Sequence, residues 1–291
     1  MQDWWLDAVC DRWEVAIAMK GQNVTGVWPY AVQQRIRIPM LLTPKLTPYL
    51  GPHVFFPDDI RESNRDSFEH ETITTLLDQL PDPEVWTLAL PPGLKQAGLF
   101  RFFDLQTEVR QTFLIDLTQE ETELYANLKE PLRRNIRAAE KEITITEEPG
   151  CLALLHDYQK VTLEDKGRIQ HHSFADLQRL YDACRRHDSG ALWVARSAEG
   201  QILGIILHVW DNVRSYYLMG AKNPAAADYR AMSALLWHAI REAKRRGHRL
   251  FDLEGSMDPG VERFFRNFGA RRELYLVLRR NHSWIWKLLK R

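Results

Sequence analysis

Leu250-Phe251-Asp252-Leu253-Glu254-Gly255-Ser256 is the stretch on which the reading of this chain turns. As a strand it alternates, with Phe251 and Leu253 facing one way and Asp252 and Glu254 the other. Before it lies the most regular helical run of the chain, Tyr229–Arg246, with apolar residues at Met232, Leu235, Leu236, Ala239, Ile240 and Ala243. Lys244-Arg245-Arg246-Gly247 closes that run with the basic last turn and glycine that end helices. Ahead of the helix, Ser215–Met219 is a strand, so Tyr217, the helix and Phe251 make a β-α-β crossover. Two carboxylates at the C-terminal end of such a strand stand where open α/β sheets place ligands. Burying them is costly without partners. The competing reading is a carboxylate pair satisfied by arginines, Arg263 or Arg137.

Working outward, Ala191–Arg196, Ile202–Trp210 and Ser215–Met219 are separated by short turns and form an antiparallel meander. Leu152–Glu164 and Phe174–Arg186 have the spacing of amphipathic helices, and Ile143–Thr146 that of a strand. Leu132–Lys141 is a basic helix whose Arg134, Arg137 and Lys141 fall at i, i+3 and i+7, on one face. Arginines in a row suit phosphates, which a guanidinium holds bidentately, although a solvated basic face explains the row equally well. Thr118 with Glu121 three residues on reads as a capping box at the start of the second part. Downstream, Val261–Phe268 is a helix and Glu273–Leu278 closes the sheet. The first part begins with a short helix, Trp4–Asp11, then strands at Val15–Met19 and Val24–Gln33. A proline-punctuated stretch from Pro39 to Pro57 forbids helix. A helix over Asn64–Leu80 and strands at Val85–Leu90 and Val109–Leu117 follow.

The 39 basic and 39 acidic side chains cancel, but not locally. Residues 1–116 hold 10 basic and 16 acidic residues, and residues 117–291 hold 29 and 23. The division predicts two domains, 1–116 and 117–291. Composition excludes disorder, and no apolar run approaches the ~20 residues of a membrane span. The N-terminus lacks the features of a signal peptide. Cys10, Cys151 and Cys184, without CxxC spacing, read as reduced thiols of a cytosolic protein. There is no GxSxG, phosphate-binding glycine loop, HExxH or paired CxxC. His171-His172 is adjacent rather than i,i+4, so no metal is expected.

The order of basic helix, meander and β-α-β, then Phe251-Asp252-Leu253-Glu254-Gly255-Ser256 and Gly260-Val261-Glu262-Arg263-Phe264-Phe265-Arg266-Asn267-Phe268-Gly269-Ala270, resembles the FemAB-like and CelD-like branch of the GNAT acyltransferases. The likeness covers most of residues 120–280. It is weaker in the N-terminal part, through Gly26-Val27-Trp28-Pro29 and Leu46-Thr47-Pro48-Tyr49-Leu50-Gly51-Pro52. That branch includes peptidyltransferases that add amino acids to cell-wall precursors. The resemblance implies an α/β (α+β) fold of two tandem GNAT-like domains, each a mixed, mostly antiparallel sheet flanked by helices. It also implies transfer of an acyl or aminoacyl group to an amine or hydroxyl in cell-envelope or polysaccharide metabolism. Two departures stand out. Relatives often carry Lys where Phe265 stands, which would leave that role to Arg263 or Arg266. The glycine loop that grips coenzyme A in ordinary GNATs is replaced by Pro224-Ala225-Ala226-Ala227-Asp228-Tyr229-Arg230. The donor implied is therefore acyl-CoA or aminoacyl-tRNA.

On this reading Asp252 or Glu254 accepts the ammonium proton or orients the amine. Tyr217 or Tyr229 gives a proton to the leaving group, with a packed aromatic as the rival account of each. Arg134, Arg137, Arg263 and Arg266 hold phosphates of a small-molecule, lipid-linked or nucleotide-linked acceptor, or of a tRNA donor. No Ser or Cys reads as a covalent nucleophile, so transfer is direct. Ser283-Trp284-Ile285-Trp286-Lys287-Leu288-Leu289-Lys290-Arg291 has the composition of a weak interfacial anchor, which would place a cytoplasmic enzyme at the inner membrane face. The alternative is a helix packing its tryptophans on the N-terminal domain. The rival functional class is a catalytically inactive GNAT-like module that binds a polyanion.

Overall fold

In this computed structural model, residues 2–35, 37–226, 230–255 and 257–285 are described. Helix α1 (Asp3–Val9) opens the chain, whose described residues form two compact units. One holds Val9–Arg110 and residues 274–285; the other holds Gln2–Ala8 and Gln111–Glu273.

The first unit contains strands β1 (Glu14–Lys20), β2 (Asn23–Tyr30), β3 (Val32–Arg35), β4 (Ile38–Leu42) and β5 (His53–Val54), helix α2 (Glu62–Leu77) and strand β6 (Val85–Ala89). β1, β2 and β5 make an antiparallel sheet. β4 pairs in parallel with β6, and α2 connects them. The last strand of the chain, Arg271–Asn281, lies antiparallel to β6 through Val277–Asn281. Trp28, Ile73, Leu76, Leu88 and Phe100 fill the core.

Strand β7 (Gln106–Asp116) carries the chain into the second unit. There follow α3 (Glu121–Asn127), α4 (Glu130–Glu142), β8 (Ile143–Glu147), α5 (Leu152–Glu164), α6 (Phe174–Arg186), β9 (Gly190–Ser197), β10 (Ile202–Trp210), β11 (Arg214–Lys222), α7 (Arg230–Arg245), β12 (Leu250–Asp252) and α8 (Pro259–Arg266). The strand order of this unit is β7-β12-β11-β10-β9-β8. Every pairing is antiparallel except β11 with β12, which α7 joins as the expected crossover. From its second residue β10 is buried throughout. That is why Ile202–Trp210 reads as a nearly unbroken apolar run, since a central strand covered on both faces needs no polar side.

Both units therefore contain a parallel strand pair joined by a helix, flanked by one antiparallel strand. In each, that flanking strand comes from the other half of the sequence: the end of the chain beside β6, and residues 111–116 beside β12. These are mixed, mostly antiparallel sheets flanked by helices, as the resemblance implied. The capping box lies two residues later than Thr118 and Glu121. Glu120 and Glu123 cap α3 reciprocally, because Thr118 is turned back onto the Asp116 carboxylate by both its N–H and its hydroxyl.

Candidate functional site

The site is built where β11 and β12 part. Their parallel pairing covers only Arg214–Leu250, Ser215–Phe251 and Tyr216–Asp252. β12 then ends, whereas β11 runs on to Lys222. On its other side β11 meets β10 with a register shift, Leu207 opposite Met219 but His208 opposite Tyr217, so Leu218 has no counterpart. Such a bulge bends and twists the strand and re-aims the side chains around it, here beside Tyr217.

Asp252 and Glu254 have different environments. Asp252 is fully buried. Its Oδ1 accepts the Thr112 hydroxyl at 2.5 Å and the Glu254 N–H at 2.9 Å, and Arg214 Nη1 lies 3.5 Å from its Oδ2. These donors and the cation offset the hydration that a buried carboxylate loses. Neither Arg263 nor Arg137 supplies that cation; Arg214 does.

Glu254 follows in the left-handed region, at φ 48°. For a residue with a Cβ that conformation costs on the order of 1 kcal/mol or more, and it persists only where the surroundings impose it. The Asp252 carboxylate, accepting its N–H, is one such restraint. Glu254 Oε1 is buried without a hydrogen-bond partner among the described residues. Burial, and secondarily the Asp252 charge, push the Glu254 carboxyl well above the usual carboxylate range. Gly255 then lies so close to β7 that a Cβ there would stand 1.5 Å from the Gln111 carbonyl oxygen. No other residue fits without moving the turn.

Tyr217 lies within electrostatic reach of Glu254, and burial first, then that carboxylate, push its phenol up, keeping it protonated. Its ring folds back along β11, so that a Cβ on Gly220 would meet the hydroxyl at 2.2 Å. The ring also meets Phe265 edge-on at 5.9 Å. Phe265 is buried among Phe113, Tyr217 and Phe264. The side chain where relatives often carry Lys is thus a core residue and not a ligand-facing one.

The arginines are dispersed. Arg134 and Arg137 are exposed on α4. Arg137 is paired with Glu130 at 2.8 Å, a carboxylate that Arg133 shares. Arg263 and Arg266 are exposed on α8, Arg266 paired with Glu262 at 3.2 Å. Asp258 caps α8 by accepting the N–H groups of Gly260 and Val261, and it pairs with Lys166 at 2.9 Å. Tyr229 and the C-terminal segment beyond Ile285 lie outside the described residues, as do Ala227 and Asp228 of the segment replacing the glycine loop. Among the described residues no group of His, Cys, Asp and Glu is placed to hold a metal.

Residues 126–266 match the model of the acetyltransferase (GNAT) domain. The chain carries a GNAT domain. Its fold is that of the GNAT acyltransferases and is similar to solved structures along its whole length. Similar structures include FemX (12% identity, TM-score 0.70, covering 99% of this chain and 92% of that one). L-PGS from Bacillus licheniformis is another (14%, 0.54, 98% and 89%), as is a tandem GNAT protein from the clavulanic acid biosynthesis pathway (11%, 0.54, 94% and 85%). At these identities the likenesses concern the fold alone. No curated protein sequence matches the chain.

Sequence reasoning missed Thr112 and Arg214, the two side chains that hold Asp252. A weak signal existed for Thr112, a polar residue heading the apolar run Phe113-Leu114-Ile115 of the second unit's flanking strand. Arg214 carried none, since its place beside Asp252 follows from strand register alone.

Proposed function

We propose that the protein transfers an acyl or aminoacyl group directly to an amine acceptor, with Glu254 as the general base and Tyr217 as the proton donor to the leaving group. The observation that carries this reading is the environment of Glu254: a partly buried residue with one carboxyl oxygen shielded from solvent and, among the described residues, without a hydrogen-bond partner, at the end of the strand where the sheet opens. A carboxyl whose proton affinity is raised by burial is matched to take a proton near neutrality. An acceptor ammonium entering beside it gives one proton to the Glu254 carboxylate and becomes a nucleophile. Its nitrogen then bonds to the acyl carbon, and collapse of the tetrahedral intermediate breaks the bond to the leaving group. The second nitrogen proton replaces the one that Tyr217 delivers to the leaving atom, and the proton on Glu254 passes to solvent. Asp252 orients Glu254 and does not itself exchange protons.

Acyl-CoA and aminoacyl-tRNA both remain donors compatible with this chemistry. A lipid-linked or nucleotide-linked acceptor is supported by the likeness to the C-terminal domain of a lysylphosphatidylglycerol synthetase from Agrobacterium fabrum (12% identity, TM-score 0.56). The exposed Trp284 supports peripheral contact with a membrane at its cytoplasmic face. Arg134 and Arg263, exposed and without ion-pair partners among the described residues, serve the phosphates of donor or acceptor. No helix among the described residues is long and apolar enough to cross a membrane.

The test is product detection by mass spectrometry with acyl-CoA and aminoacyl-tRNA donors against amine acceptors. Glu254→Gln should lower kcat by about 10²- to 10⁴-fold while leaving ligand affinity within a few-fold. A second reading is favoured by the burial of Phe265: a GNAT-like module that binds a polyanion and does not turn over. It gains if no donor is consumed while polyanion binding survives Glu254→Gln unchanged.

A further inference from the structure

The sheet of β1, β2 and β5 has two unlike faces. Ala16 and Ala18 of β1 and Trp28 of β2 face the core of the first unit. Gly26 turns the same way, and a Cβ there would stand 2.6 Å from the Thr72 side chain of α2. Alternation sends the intervening residues to the opposite face. There Ile17 lies opposite Val27 and, past a shift in register, Met19 lies opposite Val24. Val15, Ile17, Met19, Val24 and Phe55 are 37% to 50% exposed. None of the residues that the register places on this face is Asp, Glu, Lys or Arg. Large apolar side chains gathered on one open face mark a contact surface.

We infer that this face docks on an anionic lipid bilayer. Its apolar side chains enter the acyl boundary, and Lys20, at the end of the β1–β2 hairpin, meets lipid phosphates. Residues 12–57, which carry the three strands, hold five basic residues, Arg12, Lys20, Arg35, Arg37 and Lys45, and one acidic, Glu14. Glu14 is itself matched, accepting from Arg12 at 2.5 Å and from the Tyr30 hydroxyl at 2.8 Å. α2, which carries Glu62, Asp66, Glu69 and Glu71, packs on the other face of the sheet. Beyond Phe55 the chain turns onto α2, where Phe56 meets Phe68 at 5.7 Å, before the next carboxylates, Asp58 and Asp59. An uncharged apolar face in a basic segment complements a bilayer, whose apolar interior lies under anionic head groups. Two other occupants fit worse. A second copy would need about 800 Å² per partner for a stable interface, against the few hundred Å² of such a patch. An added strand would need the edge of β1, which the Gln79 carboxamide holds at Ile17. Its oxygen accepts the Ile17 N–H at 3.1 Å and its nitrogen donates to the Ile17 carbonyl at 2.9 Å. The inference concerns this sheet and rests neither on Trp284 nor on the chemistry proposed for Glu254.

The experiment is sedimentation of the full chain with vesicles of phosphatidylcholine alone and of equal parts phosphatidylcholine and phosphatidylglycerol. Wild type should bind the anionic vesicles more tightly. Ile17→Thr combined with Met19→Thr keeps good strand formers and removes the apolar reach. It should lower the partition constant by about 10-fold or more. Met19→Trp should raise it several-fold on both compositions, since an indole prefers the interface. Lys20→Gln should lower it roughly 5-fold on the anionic vesicles alone. Glu254→Gln should bind like wild type, so that a failed transfer reaction and a failed docking are told apart. Wild type that stays off the vesicles, or binds both compositions equally, overturns the proposal. So does Met19→Trp without a gain, and that arm decides the matter even if the threonine variant does not fold. Binding lost in Trp284→Ser and unchanged in the threonine variant assigns the contact to the C-terminal residue instead. A dimer seen by analytical ultracentrifugation, and dissociated by the threonine variant, assigns the face to a second copy and also overturns the proposal.

Discussion

The two faces of strand β12 bury ionisable groups by opposite means. On one face Asp252 is buried with Thr112, the Glu254 N–H and Arg214 placed to offset its lost hydration. On the other, Phe251 packs at 5.4 Å from His208, a histidine with no exposed surface. His208 belongs to a row in which imidazoles alternate with indoles. His238 meets Trp193 at 4.5 Å. Trp193 Nε1 donates to His208 Nδ1 at 3.4 Å. His208 lies 4.9 Å from Trp210, which lies 6.1 Å from His248. Among the described residues no carboxylate accepts from these rings, and Nε2 of all three histidines is buried without a partner. Burial accordingly pushes each imidazole below its usual range, His208 furthest. The charged face has donors placed around the charge. On the imidazole face burial outweighs the pull of Glu242 on His238 and of Asp211 on His248. Glu254 lies between these cases, partly buried and with its Oε1 lacking a hydrogen-bond partner among the described residues, which is the ground for the role proposed for it.

The largest effect expected from breaking this contrast is the loss of turnover in Glu254→Gln, and stability should move the other way. The folded-state carboxyl titrates above its unfolded counterpart. Its protonated form therefore favours folding at low pH, and that contribution is lost as pH rises through the folded value. The amide cannot ionise. Glu254→Gln should thus melt higher than wild type at pH 8, with the difference shrinking toward pH 4. Thermal denaturation across that range measures it. Equal melting curves at both ends would mean the carboxyl is not buried.

The imidazole face should show the reverse slope. The folded histidines titrate below the unfolded value of about 6.5, so their contribution is complete above that pH and is lost as pH falls toward the folded values. Wild type should lose melting temperature between pH 7 and pH 5. His208→Phe, which retains a ring but no titratable nitrogen, should lose distinctly less over the same interval, whatever its stability at pH 7. If the two slopes coincide, His208 does not dominate the row.

What the sequence reveals follows the range of the interactions. The crossover was legible because α7 buries residues at 3.6-residue spacing and β12 alternates. α5 and α6 fall at the bounds that amphipathic spacing sets, Leu152–Glu164 and Phe174–Arg186. Asp252 and Glu254 were legible as a pair because they sit two residues apart. Their division of labour was not, because it depends on Thr112, 140 residues away in sequence. The imidazole–indole row draws on positions 193, 208, 210, 238 and 248, and no local pattern links them. Phe265 was recognised as a departure from Lys, but only packing reveals that it lies in the core.

A smaller effect is expected at Gly220. Alanine there would place its Cβ 2.2 Å from the Tyr217 hydroxyl. The phenol must swing away, since the end of a side chain yields more readily than the backbone of β11. Gly220→Ala should therefore reduce kcat by about 10-fold, the lower end of what a displaced proton donor costs, with KM and melting temperature little changed. Unchanged kcat would remove Tyr217 from the mechanism.

The smallest effect on the fold, and the sharpest test of the basic surface, comes from two arginines on α4. Arg137 is tied to Glu130, while Arg134 is exposed without an ion-pair partner among the described residues. An exposed ion pair contributes on the order of 0–1 kcal/mol, so neither Arg134→Ala nor Arg137→Ala should shift the unfolding free energy by more than about 0.5 kcal/mol. Their effects on a phosphate-bearing ligand should differ. Arg134 can meet a phosphate without leaving a partner, whereas Arg137 must first exchange its carboxylate. Arg134→Ala should therefore raise KM for donor or acceptor several-fold and weaken its dependence on salt, and Arg137→Ala should do so less. Equal effects would mean that the row acts as a diffuse field and not through individual contacts.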